Sequence, residues 1–556
     1  MFIKPNLQKK LVLCLLLLFS GNLFAQNTIH NAWQAFFNNQ ADSAKTFFNQ
    51  AIQQNDHAAD ALLGLSLLAQ TDQSPVAAFG YFQKFYAQSK NPDPYVYALW
   101  TTTSITGYSG KHTPDQLAFL NKVASSDSSD GMMAAMAHSI IGKHYETGNQ
   151  YDKADAEYKK ISSLDNWQIT GEFENISTSG FDRTYPVIDH PEADAQFTIR
   201  NGAKAGWHNV TDIRNDKWFD FEYYANAENS VIFSQSFVKA DAETLAQLRI
   251  GVSGSVKVWV NDQLILSVPE ERNNDLDSYI QTIKLNKGYN RILLQIGESY
   301  AGNMNFLLRI TDSKGIPLTN LTSVAQAQPY TKETAFASQK IEPFAIPYFE
   351  NEIKAHPDDC LPKILLAEAY LRNDKTFEAR RLIEELRSQY PDNTFLNLML
   401  LEVFNREDNR TGAETIEESI KKSDPQSTEG LILKFNELYE QKDYDKAADI
   451  IKQLEAKNTE QQEFIYEAKI RLADANKNQD EIVRLGDEAY TKFPDDKDVA
   501  ELKYNIEKEL RKNPNAIDIL KKWSAPDQEL YDFAQEIYRE KRSIASHCLH
   551  LMTAPV

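Results

Sequence analysis

The sequence predicts an α+β multidomain chain in which two α-helical repeat arrays flank an all-β, jelly-roll-like sandwich. Two observations carry that expectation. Ala379, Ala413 and Ala447 recur at an interval of 34 positions inside amphipathic patterns, and Pro357, Pro391 and Pro425 keep the same interval. This is the period of stacked helical hairpins. From Trp167 to Asp312 the helical period gives way to alternation, as in Val256, Val258 and Val260, followed by an Asn261-Asp262 turn signal. At 556 residues the chain exceeds a single core.

Taken in order, residues 1–25 read as a secretory signal. Lys9-Lys10 precede the apolar run Leu11 to Phe19, and Ser20-Gly21-Asn22-Leu23-Phe24-Ala25 ends in small residues, which places cleavage after Ala25. The run is too short for a membrane span of about 20 residues. Cys14 sits inside it, away from the position of a lipid-modified cysteine. An exported protein, periplasmic or associated with the cell envelope and not integral to a membrane, is expected.

Residues 26–165 carry a worn form of the repeat: Ala44, Phe48 and Ala51 become Ala78, Phe82 and Phe85 one period later. Residues 166–318 form the β region, with a short helical piece at Ala240 to Leu248. Beyond the Asn261-Asp262 hairpin, Tyr279 to Leu285 and Arg291 to Ile296 read as a second strand pair turning at Lys287-Gly288. Residues 319–346, with Gln326, Gln328, Thr331 and Ser338, read as a connector. Residues 347–512 form the second array and 513–556 a weakly helical tail. No polar capping repeat closes that array, as expected of a truncated or altered terminus. Because the β region offers no long helical face, the two arrays are expected to be separate.

The helical period resembles that of the tetratricopeptide family on two sets of residues: Leu366-Ala367, Tyr370, Ala379, Ile383 and Pro391, and again Ile141-Gly142, Tyr145, Ala154 and Tyr158. The resemblance implies paired antiparallel helices whose small residues meet at crossings, with Gly142, Tyr145, Ala154, Tyr370, Ala379, Ala413 and Ala447 as packing positions, and a surface that binds a protein or peptide partner. The strings Val258-Trp259-Val260-Asn261-Asp262 and Lys287-Gly288-Tyr289-Asn290-Arg291-Ile292-Leu293-Leu294 resemble the galactose-binding-like sandwiches that accompany exported glycosidases. The full order, together with Trp167, Gly171-Glu172-Phe173-Glu174-Asn175 and Gly180-Phe181-Asp182, is similar to the N-terminal half of exported bacterial proteins that continue into a transglutaminase-like domain. No catalytic Cys, His and Asp set of that kind is present in the sequence.

A net charge of −20 argues against a nucleic-acid partner. Cys360 and Cys548 are the cysteines beyond the signal, too few for a disulfide framework. No CxxC or HExxH occurs, and neither metal nor cofactor is expected. His547, Cys548 and His550 fall within four residues in the tail and read as frayed chain. Pro269 to Tyr279, with Glu270, Glu271, Asn273, Asn274, Asp275 and Asp277, reads as a solvated acidic hairpin loop, with calcium as the alternative. Trp207, Trp218, Tyr223, Tyr224 and Trp259 enrich the β region in rings. Trp207 and Trp218 are candidates for stacking on cell-envelope glycan or for core packing, and Trp259 must face opposite to Val258 and Val260. The expected function is a non-enzymatic scaffold whose β region braces the arrays or touches glycan. The alternative is the accessory half of a transglutaminase-like or glycan-processing protein.

Overall fold

The computed structural model describes residues 28–520 apart from 101–104, 106–112 and a few shorter stretches. The proposed signal, Cys14, His547, Cys548, His550 and most of the tail lie outside the described residues. Helices α1 (28–37), α2 (Ala41–Gln53), α3 (Ala58–Thr71), α4 (Pro75–Gln88), α5 (Asp93–Ala98), α6 (Thr113–Ala124), α7 (Met132–Thr147) and α8 (Tyr151–Ile161) come first. The β region follows, with β1 (Gln168–Glu174), β2 (Gln196–Thr198), β3 (Lys204–Gly206), β4 (His208–Asn209), β5 (Phe219–Asp220), β6 (Ser230–Ala240) and β7 (Thr244–Val260). It continues through β8 (Gln263–Asn273), β9 (Tyr279–Leu285), β10 (Gly288–Glu298), β11 (Asn305–Thr311), β12 (Thr322–Val324) and β13 (Lys340–Ile341). Helices return as α9 (Ala345–Ala355), α10 (Cys360–Arg372), α11 (Thr376–Gln389), α12 (Thr394–Arg406), α13 (Arg410–Ser423) and α14 (Thr428–Glu440). The last are α15 (Tyr444–Ala456), α16 (Gln462–Ala475), α17 (Gln479–Lys492) and α18 (Lys497–Asn505). Helices at both ends of the chain thus flank a central antiparallel β region, as the sequence predicts.

The chain divides into two compact units. Of the described residues, one holds those up to Pro92, those within 101–116 and those from Thr376 onward; the other holds Asp93–Trp100 and those within 117–375.

In the first unit the helix starts follow from short polar side chains at the N-cap. Asn393 accepts from Leu396 N–H at 2.9 Å, Asn409 from Gly412 at 2.9 Å and Ser427 from Gly430 at 3.0 Å, and Asn478 and Asp496 do the same for α17 and α18. Each satisfies a backbone donor that the helix leaves open. Asp408 and Lys442, at φ 50° and 61°, turn the chain between paired helices. Ala379 and Ala447 are fully buried and Ala413 nearly so. Ala447 shares a cluster with Leu431, Phe435, Leu438 and Leu454. Among the earlier helices, Gly64 lets the Phe48 ring approach until an added Cβ would stand 2.3 Å from it.

The two arrays touch without forming one continuous helical stack. Inside this unit, α1 and α3 pack against the chain around the start of α12. The Phe37 and Tyr390 rings stack at 4.6 Å, and Phe36 meets Phe395 at 5.7 Å. The arrays join because turns of one fit helix N-termini of the other, a contact that needs no continuous helical stack.

In the second unit the sheet runs β13-β9-β7-β10-β6-β1-β4, all antiparallel, with β8 and β11 also on β7. Strand β7 spans 17 residues and serves twice: Thr244–Ile250 pairs with β9, and Ser255–Val260 with β10. Between these halves Gly254 takes φ 121°, and a Cβ there would meet Gly297 O at 2.6 Å. The predicted hairpin at Asn261-Asp262 forms, with both residues at positive φ. The second predicted strand pair does not: β9 and β10 exist but bond to different halves of β7 rather than to each other. Asn290 closes the corner between them by accepting from Asn286 N–H at 2.7 Å and donating to Asn286 O at 2.8 Å. The helical piece expected at Ala240 to Leu248 is strand instead, at the end of β6 and the start of β7.

Both faces of the central strands are buried. Val256, Val258, Val260, Ile292, Leu294 and Ile296 belong to one core, whereas Trp259, Leu293, Val231 and Phe233 belong to another on the opposite face. The second face is covered by the segment from Gly180 to Trp207, which supplies Tyr185, Val187, Phe197 and Trp207. The connector is held as edge strands, β12 on β6 and β13 on β9.

Candidate interaction surfaces

The first unit carries a polar seam built at helix ends. Asn39 and Gln73, 34 positions apart, end α1 and α3 in left-handed turns at φ 57° and 52°. Asn39 Nδ2 donates to Asp392 O at 2.6 Å, and its Oδ1 accepts from Thr394 N–H at 2.9 Å, so it caps α12 from outside. One period on, Gln73 donates to the Glu429 carboxylate, and Thr428 Oγ1 donates to Asp72 Oδ1 at 2.9 Å at the start of α14. Burial pushes the Glu429 carboxyl above its ordinary value, with the Gln73 hydrogen bond opposing. Glu460 returns the favour to α4, accepting from Val76 N–H at 2.6 Å and Ala77 N–H at 3.2 Å. Those first-turn donors have no partner within the helix and Ser74 supplies no side-chain cap, and a carboxylate at a helix N-terminus is the favoured partner.

Two clefts open on this unit. One, of about 580 Å³, combines apolar Leu65, Leu68 and Ala77 with Tyr81, Asp42, Lys45, Asp72 and Lys457. The other, of about 450 Å³, lies along α13, α14 and α15 and combines Leu431 and Ile450 with Lys421, Lys434, Glu418 and Glu437. Lys421 holds the Glu437 carboxyl below its ordinary value, with Lys434 at 3.2 Å assisting. Both volumes fall in the range of ligand sites, and both mix apolar lining with paired charges.

In the second unit Trp207 is 7% exposed, its ring edge-on to Phe197 at 6.1 Å and its indole N–H donating to His190 O at 2.9 Å. Trp218 is half-buried and Tyr223 is 59% exposed. The positions expected at helix crossings are placed as follows. Gly142 lies against Tyr158, where a Cβ would stand 2.4 Å from the ring, and Ala154 is buried. Tyr145 and Tyr370 are half-buried, the latter donating to Glu350 at 3.3 Å.

The solvated-loop reading of Pro269 to Tyr279 does not hold for its main acids, which are neutralised within the protein. Glu271 accepts from Ser299 N–H at 2.9 Å, Asp275 receives Arg372 at 2.9 Å, and the fully buried Asp277 lies between Arg249 at 3.6 Å and Arg309 at 3.5 Å. Arg249 also forks onto Asp130 at 2.7 and 2.9 Å, which ties the start of α7 to β7. The sequence reading missed this knot, because Asp130 stands among small residues with no period to mark it. Among the described residues no group of three or more His, Cys, Asp or Glu is placed to hold a metal ion, and no helix is long and apolar enough to cross a membrane.

No family model matches the chain, and no curated protein matches it. Solved structures similar to it include yeast Tom70, 10% identical over 95% of this chain and 96% of that one with a TM-score of 0.31. A β-glucosidase from Kluyveromyces marxianus is 16% identical over 20% of this chain with a TM-score of 0.17, and the chain spans 15% of that enzyme's length. At such scores neither likeness bears on function, which rests on the chain's own geometry.

Proposed function

We propose that the chain is an exported, non-enzymatic scaffold that holds a protein or peptide segment on its helical repeats. The observation that carries this reading is the 580 Å³ cleft on α2, α3 and α4, where Leu65, Leu68 and Tyr81 offer apolar contact beside charges of both signs. That combination suits an extended segment with apolar and charged side chains in turn, and no reacting group is needed. The β region serves as the brace: Trp207 is spent on packing, and Arg291, wholly buried, donates to Val187 O at 3.1 Å and so pins the covering segment. The −20 net charge supports protein partners over nucleic acid. The galactose-binding-like strings Asn261-Asp262 and Asn290-Arg291 meet in several hydrogen bonds, among them Asn261 Nδ2 to Asn290 Oδ1 at 2.8 Å and Arg291 N–H to Asn261 Oδ1 at 3.0 Å, a structural use of that likeness.

The test is a displayed-peptide selection against the full chain, followed by Leu68→Asp and Tyr81→Ala variants checked for folding. Selected peptides should lose binding to both variants; peptides indifferent to both changes would refute the cleft. Export is tested by N-terminal sequencing of the mature protein from a host with a periplasm, with residue 26 expected first. Glycan contact, and with it the accessory role beside a transglutaminase-like or glycan-processing domain, is tested by retention on glucan or peptidoglycan. Trp218→Ala, the less buried of the two tryptophans, should abolish retention if the competing reading is correct.

A further inference from the structure

The seam in the first unit has a repeating part and a part that does not repeat. Thr394 and Thr428 occupy the same place one period apart, and each receives a turn residue of the first array, Asn39 and Asp72. Those contacts alone would allow the two arrays to slide by one repeat. The neighbouring side chains differ. Phe36 and Phe37 meet Phe395 and Tyr390, whereas the residues one period later are Gln70 and Thr71 in the first array and Glu429 and Asp424 in the second, where Glu429 accepts from Gln73 and Asp424 from Thr394 Oγ1 at 2.7 Å.

We propose that the first array is a built-in ligand of the second, occupying the edge formed by the N-termini of α12 and α14 in a single register keyed by an aromatic pair at the first repeat and polar groups at the second. A slip of one repeat would place Phe36 against Glu429 and Phe37 against Asp424, burying carboxylates on rings and leaving Gln73 without its acceptor. The opposite slip would bring Gln70 and Thr71 onto Phe395 and Tyr390. The turn contacts therefore supply attraction, and the mismatched neighbours supply selectivity. While keyed, this edge is closed to any other helical-repeat partner, including a second copy of the chain. The inference rests on the seam contacts, which share Asn39 and Asp72 with the rim of the cleft assigned above but do not involve Leu68 or Tyr81, the residues that test the cleft.

The experiment uses the full chain with Cys14→Ser, Cys360→Ser and Cys548→Ser, a short bis-maleimide, and cysteine pairs read by peptide mapping. The in-register pair is Phe36→Cys with Phe395→Cys, and the slipped pair is Phe36→Cys with Glu429→Cys. The in-register pair should cross-link within one chain about tenfold or more better than the slipped pair, the selectivity expected from one buried polar mismatch. Equal yields from the two pairs would overturn the keyed register, and cross-linking that runs only between chains would overturn the built-in ligand. A second readout avoids the substituted rings: Asn39→Ala should speed hydrogen exchange at the Thr394 amide and leave the Leu396 amide, capped by Asn393, unchanged. Unaltered exchange at Thr394 would remove the turn contact from the account.

Discussion

The two units solve the burial of polar groups in opposite ways. The first uses short-range helix caps and amide contacts repeated at the repeat interval, with Asn39 and Gln73 each at the end of a helix. The second uses buried charge, most densely in a knot of Asp130, Arg249, Asp277 and Arg309 whose two arginines are 1% exposed or less. Burial pushes the Arg309 guanidinium below its usual range, against the pull of Asp277. A cap lost from the first unit leaves neighbours of the same kind in place. A charge lost from the second leaves others stranded in low dielectric. Tolerance to polar substitution should therefore be graded in the first unit and abrupt in the second.

The sharpest way to break this contrast is Arg249→Ala. It removes the forked partner of Asp130 and one of the two arginines beside Asp277, and should cost about 3–5 kcal/mol, read by denaturant unfolding with hydrogen exchange resolved across β7. A loss no larger than that of a single helix cap, about 1 kcal/mol, would show that the knot is not under the strain of burial. Trp207→Ala tests the apolar side of the same unit. With the ring enclosed by Phe197 and its neighbours, the change should cost about 3–5 kcal/mol, and a Trp207→Ala protein as stable as its parent would remove the second core from the account.

Smaller effects belong to the repeats. Ala413→Leu adds bulk at a nearly buried crossing and should cost about 1–3 kcal/mol, seen as a lowered Tm; an unchanged Tm would mean that the crossing can open. The smallest effect is in pH. Hydrogen bonds from Lys503, then Asn513 and Arg511, hold the Glu507 carboxyl down to about 2 from an ordinary 4.5. Its folded value is depressed, so its contribution is present above 4.5 and fades as pH falls from there toward 2. Glu429 has the opposite sign, because its raised value makes its contribution fade as pH rises through it. Glu429→Gln should thus flatten the neutral side of the stability profile and Glu507→Gln the acid side, measured by thermal melts from pH 3 to 8.

What the sequence made legible follows the same division. The period of Ala379, Ala413 and Ala447 announces helices, turns and buried crossings, because each repeat solves the same packing problem with the same residue types. The sandwich hairpin at Asn261-Asp262 was legible because a turn needing positive φ leaves a local mark. The second face of the sheet had a signal that alternation hid: Ile292-Leu293-Leu294 is continuously apolar, the pattern of a strand buried on both sides. The path of β9 and β10 was not legible, since a tight turn can join strands of one hairpin or pass between sheet halves, and β7 decides which. Neither was the Asp130 knot, because its partners come from β7, β11 and a loop far apart in sequence. The seam does leave a mark in the sequence, since Asn39 and Gln73 stand 34 apart, but polar turn residues carry no packing pattern that would say what they touch.

The seam joins residues 356 positions apart, such as Gln73 and Glu429. A ribosome adding roughly 5–20 residues per second needs some tens of seconds to bring the second partner out after the first. Through that interval Phe36 and Phe37 stand uncovered on the nascent chain, with the whole β region still to be made. The earliest helices of this protein are thus the last to be finished, and a binding factor that shields aromatic helices during synthesis would act on them before any other part.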